Sequence, residues 1–432
     1  MVCDNISISE NGHLMFAGQD TLKLAEEYGT PLYLMDEDKI REKCRIYIDS
    51  FKKYLPEGSR PLYASKACSF MQIYRIMSDM GMGIDVVSPG EIYTAWKAGF
   101  DLSEAYFHGN NKTPWDVGFA MDHGVGYFVA DNFSELDEID AQAAQKGIVQ
   151  NILLRITPGI DPHTYDAVST GKVDSKFGSA IETGQADEIT GYALSKEHIC
   201  LMGFHCHVGS QVFEEDVFER AAGVMLEFCS EMKKKYGFQT KQLNLGGGYG
   251  VRYVESDAGL DIASKVESVG KTIADTCKEL GMELPVILME PGRSIVADSG
   301  MTLYTAGNVK KIPEYKNYVS IDGGMTDNPR YALYGSSYTC YIANRMNEQA
   351  DMEVTIAGRC CESGDLIQRN VMVPSSTGKG DIVAVCTTGA YNYSMASNYN
   401  RICRPAVVML KDGSSYTAVK RESMEDLCRN DL

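Results

Sequence analysis

Between residues 61 and 293 the chain repeats one pattern: a short apolar run, a stretch of helical length, then another run. The runs read PLYASK (61–66), GIDVVS (83–88), AYFHGN (105–110), YFVAD (127–131), NILLRITP (151–158), LMGFHCHVG (201–209), QLNLGGG (242–248) and PVILMEPGR (285–293). Each is β-rich and bounded by Gly, Pro or Asp, and segments such as MQIYRIMSDM and GEIYTAWKAG between them have amphipathic spacing. Apolar strands that alternate with helices make a parallel sheet covered by helices, since parallel neighbours need a long crossover. Eight such units over roughly 250 residues close a β/α barrel. The expected fold is therefore α/β, a (β/α)8 TIM-like barrel.

After about residue 293 the texture changes. SIVADSGMTLYTAGNVKKI, DMEVTIAGRCC and GDIVAVCTTGAY alternate and carry Gly, Ser and Asp turns, which predicts an antiparallel β-sandwich or β-barrel domain. The barrel is expected over 36–285, and the β domain over 1–35 together with 286–432.

With 44% hydrophobic and 23% charged residues, the 432-residue chain has the make-up of a soluble globular protein. Its formal charge of −18 leaves no basic stripe for nucleic acid. The start lacks a basic segment followed by an apolar run, and no apolar run reaches membrane-spanning length. Neither nucleic acid nor membrane is expected as a partner, and the expected location is cytoplasmic. The 13 cysteines include no C-x-x-C pair, so reduced thiols are expected and a zinc framework is not.

Chemistry-bearing residues sit where the runs end: Lys66, His108 and Asn110, Arg155, His207, Gly246 to Gly248, and Glu290. The carboxyl ends of barrel strands are where such folds build their sites. In GFHCHVGSQ, His205 and His207 share one face of a strand, which suits a metal pair, a non-metal site or a packed interior alike. Lys66 lies between small residues in YASKA, where a desolvated amine can attack a carbonyl, although most lysines only extend to solvent. LGGGYG (245–250) offers bare N–H groups that can cradle a phosphate, or makes a tight turn, and it lacks the G-x-G-x-x-G spacing of a dinucleotide fold. Glu290 in EPGR could face a pyridinium nitrogen or simply pair with Arg293.

Lysine, phosphate loop, flat-ring partner and carboxylate together specify pyridoxal 5′-phosphate. In the order YASKA, GIDVVSPGE, HTYDAVSTGKVDSKFG, FHCHVGSQ, LNLGGGYG, EPGR, CESGD and AYNYSMASNYN, the sequence resembles the barrel-fold, alanine-racemase-like pyridoxal-phosphate decarboxylases. The resemblance covers nearly the whole chain, from EEYGTPLYLMD to RPAVV. It implies an enzyme, a carboxy-lyase converting meso-2,6-diaminopimelate to L-lysine and carbon dioxide at the end of lysine biosynthesis. It further implies that Lys66 carries the cofactor, that Glu290 keeps its ring nitrogen protonated, and that His207 lies against the ring. Ser210, Gly247, Gly248, Gly292, Arg293 and Tyr391 are implied to hold the cofactor. Cys361 is implied as proton donor, and Arg293, Arg330, Tyr334, Glu362 and Tyr391 as substrate-binding residues. A homodimer with shared active sites is implied, no metal is, and His205 is given no chemistry.

Three positions depart from the family pattern: Cys68 for the usual Asn, Arg359-Cys360 near a usual Pro, and Asn392 for a common Gly. The competing expectations are a decarboxylase of ornithine, arginine or carboxynorspermidine, a non-catalytic binding relative, and a metal-dependent barrel hydrolase.

Overall fold

The computed structural model describes residues 1–160, 174–214 and 216–432. The chain divides into two compact units, one made of Lys43–Gly250 and Leu260–Gly292, the other of Met1–Glu42, Val251–Gly259 and Arg293–Leu432. The HTYDAVSTGKV part of the 163–178 block lies outside the described residues.

In the first unit eight strands form a closed parallel ring: β1 (Arg60–Ala64), β2 (Gly83–Val86), β3 (Ala105–Phe107), β4 (Tyr127–Ala130), β5 (Gln150–Thr157), β6 (Ile199–His205), β7 (Gln242–Asn244) and β8 (Val286–Met289). Sequence neighbours pair throughout, and β8 pairs with β1 to close the ring. Each strand falls on one of the eight apolar runs. Seven helices alternate with them: α1 (Met71–Met80), α2 (Pro89–Ala98), α3 (Pro114–Asp122), α4 (Phe133–Lys146), α5 (Gln185–Leu194), α6 (Val217–Tyr236) and α7 (Ile262–Leu280). Their starts are encoded locally. Ser88, Thr113 and Asn132 accept the N–H groups of Glu91, Asp116 and Glu135, satisfying donors that a helix N-terminus leaves open.

The ring is filled at one level by Leu62, Tyr106, Val129, Leu153 and Leu288, which are buried against one another. Tyr106 stacks on Tyr127 with centroids 4.3 Å apart, and its hydroxyl donates to Gln242 Oε1 at 3.2 Å. Side chains return to one face every second residue. Two positions beyond this floor the sequence has Ala64, His108, Asp131, Arg155 and Glu290. Strand periodicity therefore sets a layer of polar residues on an apolar plug.

The second unit is built on a long strand, β9 (Gly300–Ile312), which pairs with β10 (Lys316–Ile321) along one half and β13 (Ile382–Cys386) along the other. Strands β11 (Met352–Ala357) and β12 (Leu366–Val373) extend one edge, and β14 (Ala406–Lys411) and β15 (Ser414–Val419) the other. The N-terminal strand Leu32–Asp36 sits between β9 and β14. Two pairings, Leu32–Asp36 with β14 and β10 with β11, are parallel rather than the expected antiparallel. Neither pair is joined by a tight hairpin, so parallel pairing is open to both. Leu32, Leu34, Met301, Leu303, Val408 and Leu410 anchor the core of this unit, joined by Leu14 and Phe16.

Gly203 lies in β6 where the register against β5 shifts, and a Cβ there would come within 1.8 Å of the Gln242 carbonyl oxygen on β7. We expect Gly203→Ala to be destabilised by about 3 kcal/mol through overpacking, read as a lower urea midpoint with little change in slope. A midpoint equal to that of the unsubstituted protein would refute the close approach.

Candidate active site

Glu290 follows β8 and is 6% exposed. Its Oε1 accepts from Asn244 Nδ2 at 2.7 Å at the end of β7. His108 Nε2, just past β3, lies 2.9 Å from the same oxygen, in ion-pair rather than hydrogen-bond alignment. His205 Nε2, closing β6, lies 3.3 Å from Oε2. Burial alone would push the Glu290 carboxyl up, but His108 and His205 outweigh it and hold it well below the usual carboxylate range. Burial lowers His205 to about 4 even though Glu290 opposes the shift. Asp85, from β2, lies 3.9 Å from His108 Nε2. Burial pushes it the other way, upward, with Glu290 adding to the rise against the lowering pull of His108. Two carboxyl groups in one buried layer are thus shifted in opposite directions by their surroundings. The ligand-type atoms of His108, His205 and Glu290 fall within 4.8 Å of one another. That composition also suits a metal, but here both ring nitrogens serve the charge on a carboxylate.

Around this carboxylate lie the other residues of the barrel rim. Lys66 is in a short turn, Ser65–Ala67, directly after β1. His207 is held well below the ordinary histidine range, first by burial and then by the Lys66 and Arg155 charges, so its ring is neutral. Gly247 N–H donates to His207 Nδ1 at 3.3 Å, which fixes the ring. The glycine run has no space for side chains: a Cβ at Gly247 would lie 2.0 Å from Glu290 O, and one at Gly248 2.1 Å from Gly209 O. Gly248 also has φ 119°, a conformation that favours glycine. Ser210 follows two residues after Val208 and is half-buried, and Gly292 packs so closely that a Cβ would meet Ala64 Cβ at 2.9 Å.

In the second unit, the Tyr391 ring is approached by two guanidinium groups, Arg293 at 4.8 Å and Arg330 at 5.2 Å from the centroid. Its φ of 64° is a left-handed conformation rare for a bulky residue, the kind of strain that collects at functional sites. Arg293 Nη1 donates to Tyr253 OH at 2.6 Å. Arg330 lies 5.3 Å from the Tyr334 ring and donates weakly to Ser336 Oγ at 3.4 Å. Both arginines are only 7% exposed, and Arg330 Nε has no hydrogen-bond partner among the described residues. A buried guanidinium with unused donors suits an anionic ligand.

Cys361 and Glu362 lie on the exposed loop between β11 and β12. Cys360 beside them is buried, and burial with the neighbouring Asp365 charge pushes its thiol up to about 11. Among the residues expected from sequence, the barrel unit thus gathers Lys66, His207, the glycines and Glu290, and the β unit gathers Arg293, Arg330, Tyr334 and Tyr391. Sequence reasoning left Asp85, Asn244, Tyr253 and Asp365 without roles. Asp85 and Asn244 stand at strand ends and could have been found by the same reasoning as His108.

The family model for the pyridoxal binding domain of pyridoxal-dependent decarboxylases matches residues 37–297. The chain belongs to this family of pyridoxal-phosphate-dependent decarboxylases. Over nearly its whole length it is similar to diaminopimelate decarboxylases: that of Bacillus subtilis is 44% identical over 426 residues, 98% of this chain and 96% of the relative. The Staphylococcus aureus enzyme is 43% identical over 99% of both chains. A crystal structure of diaminopimelate decarboxylase from M. jannaschii in complex with L-lysine superposes with a TM-score of 0.91 at 32% identity, covering 100% of this chain and 98% of the other. Pyridoxal phosphate fits the residues present. The glycine run is bare backbone where a Cβ would collide, and a buried ionised carboxylate faces the same layer as a neutral imidazole.

The depressed His205 sets an acid limit on stability. An unfolded histidine takes up its proton near 6.5, but the folded one does so only near 4. This contribution is complete above about pH 6.5 and is lost as pH falls through about 4. Between about pH 7.5 and about pH 4.5, the cofactor-free protein should lose about 2 kcal/mol more than His205→Gln, measured as urea midpoints. Parallel curves would assign the acid limb to other groups.

Proposed function

We propose that this chain removes carbon dioxide from meso-2,6-diaminopimelate to give L-lysine, with pyridoxal phosphate held through Lys66. The observation that carries the substrate choice is the buried Arg293 and Arg330 pair against the Tyr391 ring, in a chain similar along its whole length to diaminopimelate decarboxylases. When bound, pyridoxal phosphate supplies an electron sink for the pair of electrons left as carbon dioxide departs.

The chain's own groups do the rest. Lys66 would hold the cofactor through its amine. Glu290, kept ionised by its two histidines and Asn244, would keep the cofactor's ring nitrogen protonated. His207 presents a neutral ring face, since burial disfavours its charge and an imidazolium there would also repel Lys66 and Arg155. The N–H groups around Gly247 and Gly248, with Ser210, receive the phosphate, and Gly292 allows the close packing next to them. Arg293 and Arg330, with Tyr334 and Tyr391, bind the carboxylate that is retained, because a guanidinium grips a carboxylate through two parallel hydrogen bonds. Glu362 receives the distal amine. Cys361 gives its proton to the carbon that has lost its carboxyl group, and its exposure beside the buried Cys360 favours it as the donor.

We further propose a cytoplasmic homodimer in which the loop carrying Cys361 serves the partner's barrel. No helix among the described residues is long and apolar enough to cross a membrane.

The purified protein should be yellow, and borohydride reduction with peptide mapping should leave the cofactor on the YASKA peptide at Lys66. Assay against meso-diaminopimelate, its L,L isomer, ornithine and lysine should show turnover with the meso isomer above the rest. Labelling of another lysine, or a preference for ornithine, would overturn this reading.

Sharing of sites has its own test. Lys66→Ala and Cys361→Ala proteins should each be nearly inactive, and exchanged in equal amounts they should recover about a quarter of full activity, as two-fold pairing dictates. No recovery despite demonstrated exchange would place Cys361 with its own barrel.

A further inference from the structure

The thiol assigned above as proton donor sits in a loop whose backbone is held partly by its own groups and, at Cys361, by a side chain from outside. Within Gly358–Leu366 the N–H groups of Gly358, Glu362, Asp365 and Leu366 are satisfied by carbonyls of the loop itself. Other amides look elsewhere: Arg359 N–H donates to Gly323 O at 2.9 Å, Gly364 N–H donates to Glu362 Oε1 at 3.1 Å, and the two cysteine amides donate to side-chain oxygens. Cys360 N–H donates to the Asp365 carboxylate at 2.7 Å, and Cys361 N–H donates to Asn400 Oδ1 at 2.7 Å, 39 residues further along. The first bond faces Cys360 inward, where it is 8% exposed, and the second leaves Cys361 exposed.

Asn400 is suited to this contact by its backbone. It has φ 52° and ψ 20°, the left-handed region that asparagine tolerates better than most residues. The turn is braced next door: Asn398 Nδ2 donates to Ile402 O at 2.9 Å and to Glu422 Oε2 at 2.6 Å. Glu422 also accepts from Arg404 Nε at 2.7 Å, and although burial opposes it, these bonds lower its carboxyl to about 2. An exposed loop would otherwise leave a cysteine side chain free to sample several directions, and a misplacement of about 1 Å can cost about a hundredfold in rate.

We infer that Asn400 is a positioning residue for Cys361: its side-chain oxygen fixes the Cys361 N–H and with it the direction of the thiol. This rests on the assignment of Cys361 as proton donor, and the two are separable. If Cys361→Ala retains full activity, the assignment fails and takes this inference with it.

Given an inactive Cys361→Ala, two variants decide the matter. Asn400→Gly keeps the left-handed backbone and removes the acceptor, and Asn400→Asp keeps both. In the holoenzyme, Asn400→Gly should lower kcat about tenfold or more with KM for diaminopimelate nearly unchanged. In the cofactor-free protein, the rate at which iodoacetamide alkylates Cys361, followed by peptide mass mapping, should shift by about threefold or more. Asn400→Asp should restore both readings. If Asn400→Gly proves unfolded by thermal melting, Asn400→Ala carries the same criteria. Unaltered kcat and unaltered alkylation in the acceptor-free variant would overturn the inference, as would failure of Asn400→Asp to restore either.

Discussion

The barrel unit depends on one buried charge. A carboxylate taken from water into a protein interior costs several kcal/mol unless its oxygens are paired and hydrogen-bonded. Glu290 meets that requirement only because three other strands end at its level: β3 brings His108, β6 brings His205 and β7 brings Asn244. Such convergence needs a closed sheet with a fixed stagger, and the stagger is set by the apolar plug of Leu62, Tyr106, Val129, Leu153 and Leu288 beneath it. The same ring explains the state of its neighbours. Burial and then the charge on Glu290 drive Asp85 toward its neutral form, and the neutral His207 follows from burial and then from the cationic Lys66 and Arg155. The electrostatics of the site are thus an outcome of barrel closure, more than of any one side chain.

The β unit solves a different problem, that of giving fixed form to loops. Its functional residues leave the sheet at turns, where backbone donors have no ladder to join. Side-chain oxygens take their place. Asp365 accepts Met325 N–H at 2.6 Å as well as Cys360 N–H, so one carboxylate ties the segment before Arg330 to the segment before Cys361. Asp365 is 3% exposed, and a Cβ on Gly324 or Gly358 would come within 2.5 Å or 2.2 Å of its oxygens. These two glycines are there to let the carboxylate in.

Much of this was legible in the sequence because strands announce themselves twice. Their apolar runs give the fold, and the residues that end them, Lys66, His108, His207 and Glu290, give the layer of chemistry, since periodicity and closure act on every strand alike. The grouping of Arg293 and Arg330 around Tyr391 was reachable only through resemblance, because no local pattern brings residues 293, 330 and 391 together. Asp365 and Asn400 were not legible at all. They act on backbone amides, one of them 39 residues away, and an acceptor for an N–H leaves no signature beyond the residue type itself. Nor was the pairing of Leu32–Asp36 inside the β unit readable from spacing, since its partners lie hundreds of residues downstream.

The three departures from the family pattern become understandable on the same terms. At Cys68 the structure uses the backbone: Tyr63 OH donates to the Cys68 carbonyl at 2.9 Å, while the buried side chain has its thiol pushed up by burial. At Cys360 the contact is again an amide, held by Asp365, so the side chain is free to differ as long as it fits a buried space. Asn392 is the instructive exception, because here the side chain is used. Its φ of −90° makes no demand for glycine, the left-handed residue of that turn being Tyr391. Fully buried, it donates through Nδ2 to Thr388 O at 3.0 Å, closing the turn from inside. A glycine at this position would leave Tyr391 strained without that support, so the asparagine supplies a tether for the ring that the two arginines approach.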